Sequence, residues 1–169
     1  MRDDTKLIHM ARNTSDEECG VNLPVHRAST VVYADVASYL SRFDGERRYN
    51  SVTYGATGTH NARALAGAIA ELENGAGCVV TSTGLSAITM TLSALLASGD
   101  HLLMTDSVYG PSRTFCNTIL ARMGVRTTYY DPGIGAGIAD LIEDTTRLIF
   151  TEAPGSLTFE MQDIPAIVA

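Results

Sequence analysis

Thr81-Ser82-Thr83-Gly84-Leu85-Ser86-Ala87-Ile88 (TSTGLSAI) stands between an apolar run, Cys78-Val79-Val80, and a stretch of helical character, Thr89-Met90-Thr91-Leu92-Ser93-Ala94-Leu95-Leu96. Small hydroxyl residues and a glycine fall where a strand hands over to a helix. Two readings fit that chemistry. One is an ordinary strand-to-helix turn with hydroxyl caps. The other is an anion cup, because a helix N-terminus presents free N–H groups and a partial positive charge. Neither G-x-G-x-x-G nor G-K-[ST] is present to decide between them.

Working outward, the pattern defines the fold class. On the N-terminal side, Leu65, Ala68, Ile69 and Leu72 recur at helical spacing, and Asn74-Gly75 supplies a stop. Residues 77–81 then read as a buried strand and residues 84–97 as a helix ended by Ser98-Gly99. Residues 101–105 read as a strand, and 111–123 as a helix opening on Pro111, where a missing N–H costs nothing. Residues 125–130 read as a strand, Asp131-Pro132-Gly133 as a turn, 137–142 as a short helix and 147–151 as a strand. Strands and helices alternate, and the strands are continuous apolar runs. That predicts an α/β fold whose parallel sheet is covered on both faces and joined by right-handed crossovers. Residues 1–53 are weakly periodic and read as an arm, with a short extended piece at 28–33. From Asp163 a helix begins and the sequence ends within it, at Ala169. The expectation is an incomplete domain over 54–169.

Composition narrows the function classes. The chain has 169 residues, 45% of them hydrophobic and 18% charged, the content of one folded domain. A net charge of -7 disfavours nucleic acid and anionic membranes. Arg47-Arg48 and the pair Arg122 and Arg126 are the basic clusters, read as solvated surface. Cys19, Cys78 and Cys116 are odd in number and widely spaced, as reduced thiols of a cytoplasmic protein are. His9, His26, His60 and His101 form no metal-binding spacing, so no metal site is expected. No run reaches the ~20 apolar residues of a membrane span. Lys6 is the only lysine.

Three further loops flank elements at the edge where ligands gather in open parallel sheets. Ser107-Val108-Tyr109-Gly110-Pro111-Ser112 holds a tyrosine at a loop tip, either a plain surface or core tyrosine or a face for a flat ring. Residues 49–59, with Tyr54 among glycines and hydroxyls, are either a linker or part of a site. Thr151-Glu152-Ala153-Pro154-Gly155-Ser156 carries a glutamate that is either an acid or base, or a solvated or loop-fixing group.

Nearly the whole chain resembles the cysteine/methionine-metabolism family of pyridoxal-phosphate enzymes, and most of all its cystathionine β-lyase branch. The resemblance rests on YGATGTHNARALAGAIAELENGAGC, TSTGLSAI, SGDHLLMTDSVYGPSRTFC and TEAPGSLTFEMQDIPAIVA. It implies the aspartate-aminotransferase-like (type I) fold, with residues 1–53 as N-terminal arm and 54–169 as part of the large domain. It implies pyridoxal 5'-phosphate as cofactor, its phosphate held by the N–H groups of Gly84 and Leu85 and its ring stacked on Tyr109. Tyr54 would reach the phosphate of a neighbouring subunit, and with Tyr109 belongs to the catalytic set. The implied reaction is carbon–sulfur β-elimination of cystathionine to homocysteine, pyruvate and ammonia.

The sequence departs from the family in two places. The arginine usual two residues after the tyrosine is Ala56 here. The lysine that forms a Schiff base with the cofactor lies, in the family, downstream of the EAPGS segment, and Lys6 is no substitute. The expectation is a fragment inactive alone, forming a homo-oligomer or joining a complementary C-terminal chain. The alternative is a non-catalytic remnant that binds a phosphorylated ligand or pairs with an intact relative. A nucleotide-binding α/β domain ranks last, for want of its glycine fingerprint.

Overall fold

The computed structural model describes residues 3–10, 21–45 and 51–169. The chain forms two compact units, Met1–Val80 and Thr81–Ala169. Among the described residues, no helix is long and apolar enough to cross a membrane. Cys19 and the Arg47-Arg48 pair lie outside the described residues.

The first unit contains α1 (Asp3–His9), α2 (Val36–Leu40) and α3 (His60–Leu72). Asp35 starts α2 by accepting the Ser38 N–H at 2.7 Å, and that bond holds its carboxyl below the ordinary carboxylate range. Asn61, in the first turn of α3, ties down the preceding loop: its Oδ1 accepts the His26 N–H (2.8 Å) and its Nδ2 donates to the Pro24 carbonyl (2.9 Å). At the other end of α3, Asn74 takes a positive φ and Gly75 N–H bonds back to the Ala70 carbonyl, the stop that Asn74-Gly75 announces.

One sequence expectation fails in this unit. Residues 77–81 form no strand, and Val79 is 80% exposed. Apolar, extended residues become a strand only with a hydrogen-bonded neighbour, and none pairs here among the described residues. Residues 28–33, expected as a short extended piece, pair with no strand among the described residues. Ser29 instead accepts the Gly55 N–H through its carbonyl at 2.7 Å. The approach is so close that a Cβ on Gly55 would overlap the Ala28 carbonyl oxygen.

The second unit is an α/β layer structure. It runs α4 (Gly84–Leu95), β1 (His101–Thr105), α5 (Gly110–Phe115), β2 (Arg126–Tyr130), β3 (Thr146–Phe150) and α6 (Ile164–Val168). A π-turn over Cys116–Leu120 continues α5, and the helix expected at 137–142 is a 3-10 segment, Gly135–Leu141. The strands are parallel in the order β2-β1-β3, with a register shift between His101 and Leu102 on the β3 side.

β1 is the axis of the core, and all five of its residues are buried. Its side chains alternate between faces. Leu102 and Met104 join Leu92, Leu96, Val108, Cys116 and Leu120 under α4 and α5. Leu103 joins Tyr130, Ile138 and Ile167 on the opposite face, under α6 and the 3-10 segment. At its start His101 ties the sheet together. Its Nδ1 bonds Thr146 Oγ1 (2.8 Å) and its Nε2 bonds Thr128 Oγ1 (2.9 Å), reaching both flanking strands.

Candidate active site

The turn 81–84 opens α4. Thr83 is extended (φ −151°, ψ 158°), and its Oγ1 accepts the Ser86 N–H at 3.0 Å. The same oxygen bonds Ser86 Oγ (2.8 Å), while Thr81 Oγ1 donates to the Thr83 carbonyl (2.9 Å). This is the hydroxyl-capped turn of the first reading. It leaves two donors over: among the described residues, the N–H groups of Gly84 and Leu85 bond to no acceptor. A Cβ built on Gly84 would meet no atom within 4 Å, so the approach is open. Paired main-chain donors, hydroxyls of Ser82 and Ser86, and the positive end of a twelve-residue helix suit a phosphate group.

The next loop follows β1. Ile88, one turn into α4, packs on the same cluster as Val108, the residue before Tyr109. Asp106 N–H donates to the Tyr130 carbonyl (2.8 Å), and Arg113 Nη2 donates to the Asp106 carbonyl (2.7 Å) and pairs with its carboxylate. The Arg113 guanidinium also lies 3.8 Å from the centre of the Tyr129 ring. Tyr109 is the N-cap residue of α5. Its carbonyl accepts from Ser112 N–H (2.9 Å), and its own N–H donates to Glu152 Oε1 and Oε2 (3.1 and 3.2 Å). The residue remains 46% exposed.

Glu152 belongs to the loop after β3, so both loops meet beyond the carboxyl ends of adjacent strands. Ser156 N–H donates to the Ser107 carbonyl at 2.8 Å. Gly155 is held so closely that a Cβ there would lie 2.6 Å from Ser107 Cβ. Gln162 anchors the loop from below: its Nε2 donates to the Glu152 carbonyl (2.7 Å) and its Oε1 accepts from Tyr130 Oη (2.9 Å). Sequence reasoning missed Gln162 and Ser107 as loop anchors, since a single amide or hydroxyl carries no periodic signal.

Tyr54 lies in the other unit, 49% exposed, before a 3-10 turn over Gly55–Thr57 whose Thr57 Oγ1 bonds the Tyr54 carbonyl (2.8 Å). Ala56 is exposed beside it. Lys6 sits in α1, 3.6 Å from Asp3. Cys116 is buried against Met104 sulfur (3.8 Å), its thiol pushed up by burial, whereas Cys78 is only half-buried.

Fold and site together define part of a type I pyridoxal-phosphate fold: a small parallel sheet with flanking helices and its donor-rich turns at one edge. The chain belongs to the Cys/Met metabolism PLP-dependent enzyme family, whose pattern matches residues 4–169. It is 47% identical over 165 residues to a candidate cystathionine beta-lyase of Rhizobium johnstonii, covering 98% of this chain and 40% of that protein. Cystathionine beta-lyase MetC of Escherichia coli is 39% identical over 166 residues, with 98% and 42% covered. The chain thus spans about two fifths of the length of these relatives. Among solved structures, cystathione gamma lyase (CalE6) of Micromonospora echinospora superposes with a TM-score of 0.79 at 30% identity, covering 97% of this chain and 40% of that one. A Campylobacter jejuni structure that carries N'-pyridoxyl-lysine-5'-monophosphate superposes with a TM-score of 0.87 at 21% identity, covering 99% and 40%.

Proposed function

We propose that this chain supplies the cofactor-cradling part of a cystathionine β-lyase-type site in the cytoplasm, acting on a small sulfur amino acid. Residues 1–53 serve as an arm and 54–169 as part of the cofactor-binding domain. The observation that carries the reading is the pair of unbonded N–H groups at Gly84 and Leu85. They would hold the phosphate of pyridoxal 5'-phosphate, with Ser82 and Ser86 beside them. When bound, the cofactor supplies an electron sink for carbanion chemistry. Tyr109 offers its exposed ring to the pyridine face. Tyr54 would serve the phosphate of a second copy in a homo-oligomer, without the help of an arginine at Ala56. Cleavage to homocysteine, pyruvate and ammonia needs a lysine at the reacting carbon. Lys6, in α1, is not placed to fill that role, so these residues would act together with a lysine they do not contain.

Calorimetric titration of the chain tests the reading. Pyridoxal phosphate is expected to bind more tightly than inorganic phosphate, because the ring adds a contact. No pyruvate is expected from cystathionine until a C-terminal portion of a relative is added. Equal affinity for the two ligands, with no pyruvate after complementation, favours the other class of function, a non-catalytic binder of phosphorylated ligands. That class needs only the Gly84–Leu85 donors.

A further inference from the structure

We infer that Glu152 is a positioning residue for Tyr109, acting through the tyrosine main chain. This rests on the reading of Tyr109 as the cofactor's ring platform. A stacking face works only if its backbone is fixed, because each rotamer or loop state left open lowers the productive fraction. Tyr109 is fixed on one side by the helix it caps, through its carbonyl and Ser112 N–H. On the other side its N–H points between both oxygens of one carboxylate, at 3.1 and 3.2 Å. Nothing in the helix could satisfy that donor, since the acceptor must come from before the helix begins.

The carboxylate is itself held. Glu152 follows directly on β3 by way of Thr151, its carbonyl is gripped by Gln162 Nε2, and Gln162 is gripped by the buried Tyr130. Among the described residues no arginine or lysine pairs with Glu152. Its charge faces the start of α5, where a negative group is favourable. A chain of contacts therefore runs from the sheet interior through Tyr130, Gln162 and Glu152 to the Tyr109 backbone, and leaves the ring free. General acid or base work is the competing role for this carboxylate, but both its oxygens are engaged by the Tyr109 amide.

Two measurements on the full chain test this. Hydrogen exchange should find the Tyr109 amide protected in the wild type and in Glu152→Gln, which keeps an acceptor oxygen, and unprotected in Glu152→Ala. In titrations, Glu152→Ala should weaken pyridoxal phosphate about three- to tenfold, the worth of one stacking contact, and leave inorganic phosphate unchanged. Glu152→Gln should restore most of the loss. In a Tyr109→Ala background, Glu152→Ala should cost nothing further. Unchanged Tyr109 exchange, or an undiminished affinity in Glu152→Ala while Tyr109→Ala weakens binding, overturns the inference alone. Undiminished affinity in Tyr109→Ala, or no binding of pyridoxal phosphate to the wild type, overturns the ring-platform reading and the inference with it. Loss of inorganic phosphate binding in both Glu152 variants also overturns it, since the residue would then support the whole edge.

Discussion

At Gly84 the useful group is a main-chain N–H, so truncating a side chain cannot remove it, but proline can. Position 84 is the first residue of α4, where proline is tolerated, and the extended Thr83 before it has the conformation proline requires of its predecessor. Gly84→Pro should leave the melting temperature within a few degrees of wild type. It should lower phosphate and pyridoxal phosphate affinity about ten- to a hundredfold, the range for one hydrogen bond to a charged group. Calorimetric melting checks the first effect and isothermal titration the second. Thr83→Ala separates the two readings of the turn. It removes the cap on Ser86 N–H and should cost about 1 kcal/mol in urea unfolding, while the Gly84 and Leu85 donors stay in place.

The strands contribute through two buried titratable side chains. Burial, reinforced by Arg126, holds the His101 proton affinity below the ordinary histidine value, with Glu143 acting weakly the other way. The unfolded chain takes up its proton first as pH falls below about 6.5, so the folded sheet should lose stability in that window. Urea titrations at pH 7.5 and 5.5 should show the loss, and His101→Gln should flatten it. Tyr130 acts at the other extreme. Burial pushes its phenol up to about 12, and its Oη bonds both the Phe150 carbonyl and Gln162. The folded state keeps this proton while an unfolded tyrosine has lost it above about 10. Stability should therefore fall as pH rises from about 10 to 12, and Tyr130→Phe should remove that slope at a cost of about 1–3 kcal/mol near neutrality. The parallel sheet from β1 onward was legible in the sequence because extended segments alternate with helical ones and each is closed by its own turn, although β2, RTTYY, is not an apolar run. Residues 77–81 have the same local character yet form no strand, because pairing depends on a neighbour that no local pattern supplies.

Taken whole, the chain leaves apolar surface open. Both flanking strands of the second unit have a neighbour on one side only among the described residues, and Leu157 and Phe159 protrude beyond β3. Unpaired strand edges and exposed apolar side chains favour association. The purified chain should elute larger than 18.0 kDa in size-exclusion chromatography and enhance the fluorescence of an apolar dye. A compact monomer with no dye response would contradict this. The site was legible to a different degree at each residue. Gly84 and Leu85 stood out as part of a glycine-and-hydroxyl turn before a helix, and Tyr109 as a loop-tip tyrosine, each with a plain structural reading open, and family resemblance supplied their proposed roles. Tyr54 gave no physical cue of its own, and its role came from family resemblance alone. The His101 ties to Thr128 and Thr146 have one more consequence. They staple the sheet at the end where the strands begin, and the turns proposed to hold the cofactor lie where the strands finish. An evolving lineage could therefore rewrite those turns for a new chemistry while keeping its thermal tolerance, and mutational scans should find the two ends nearly free of epistasis.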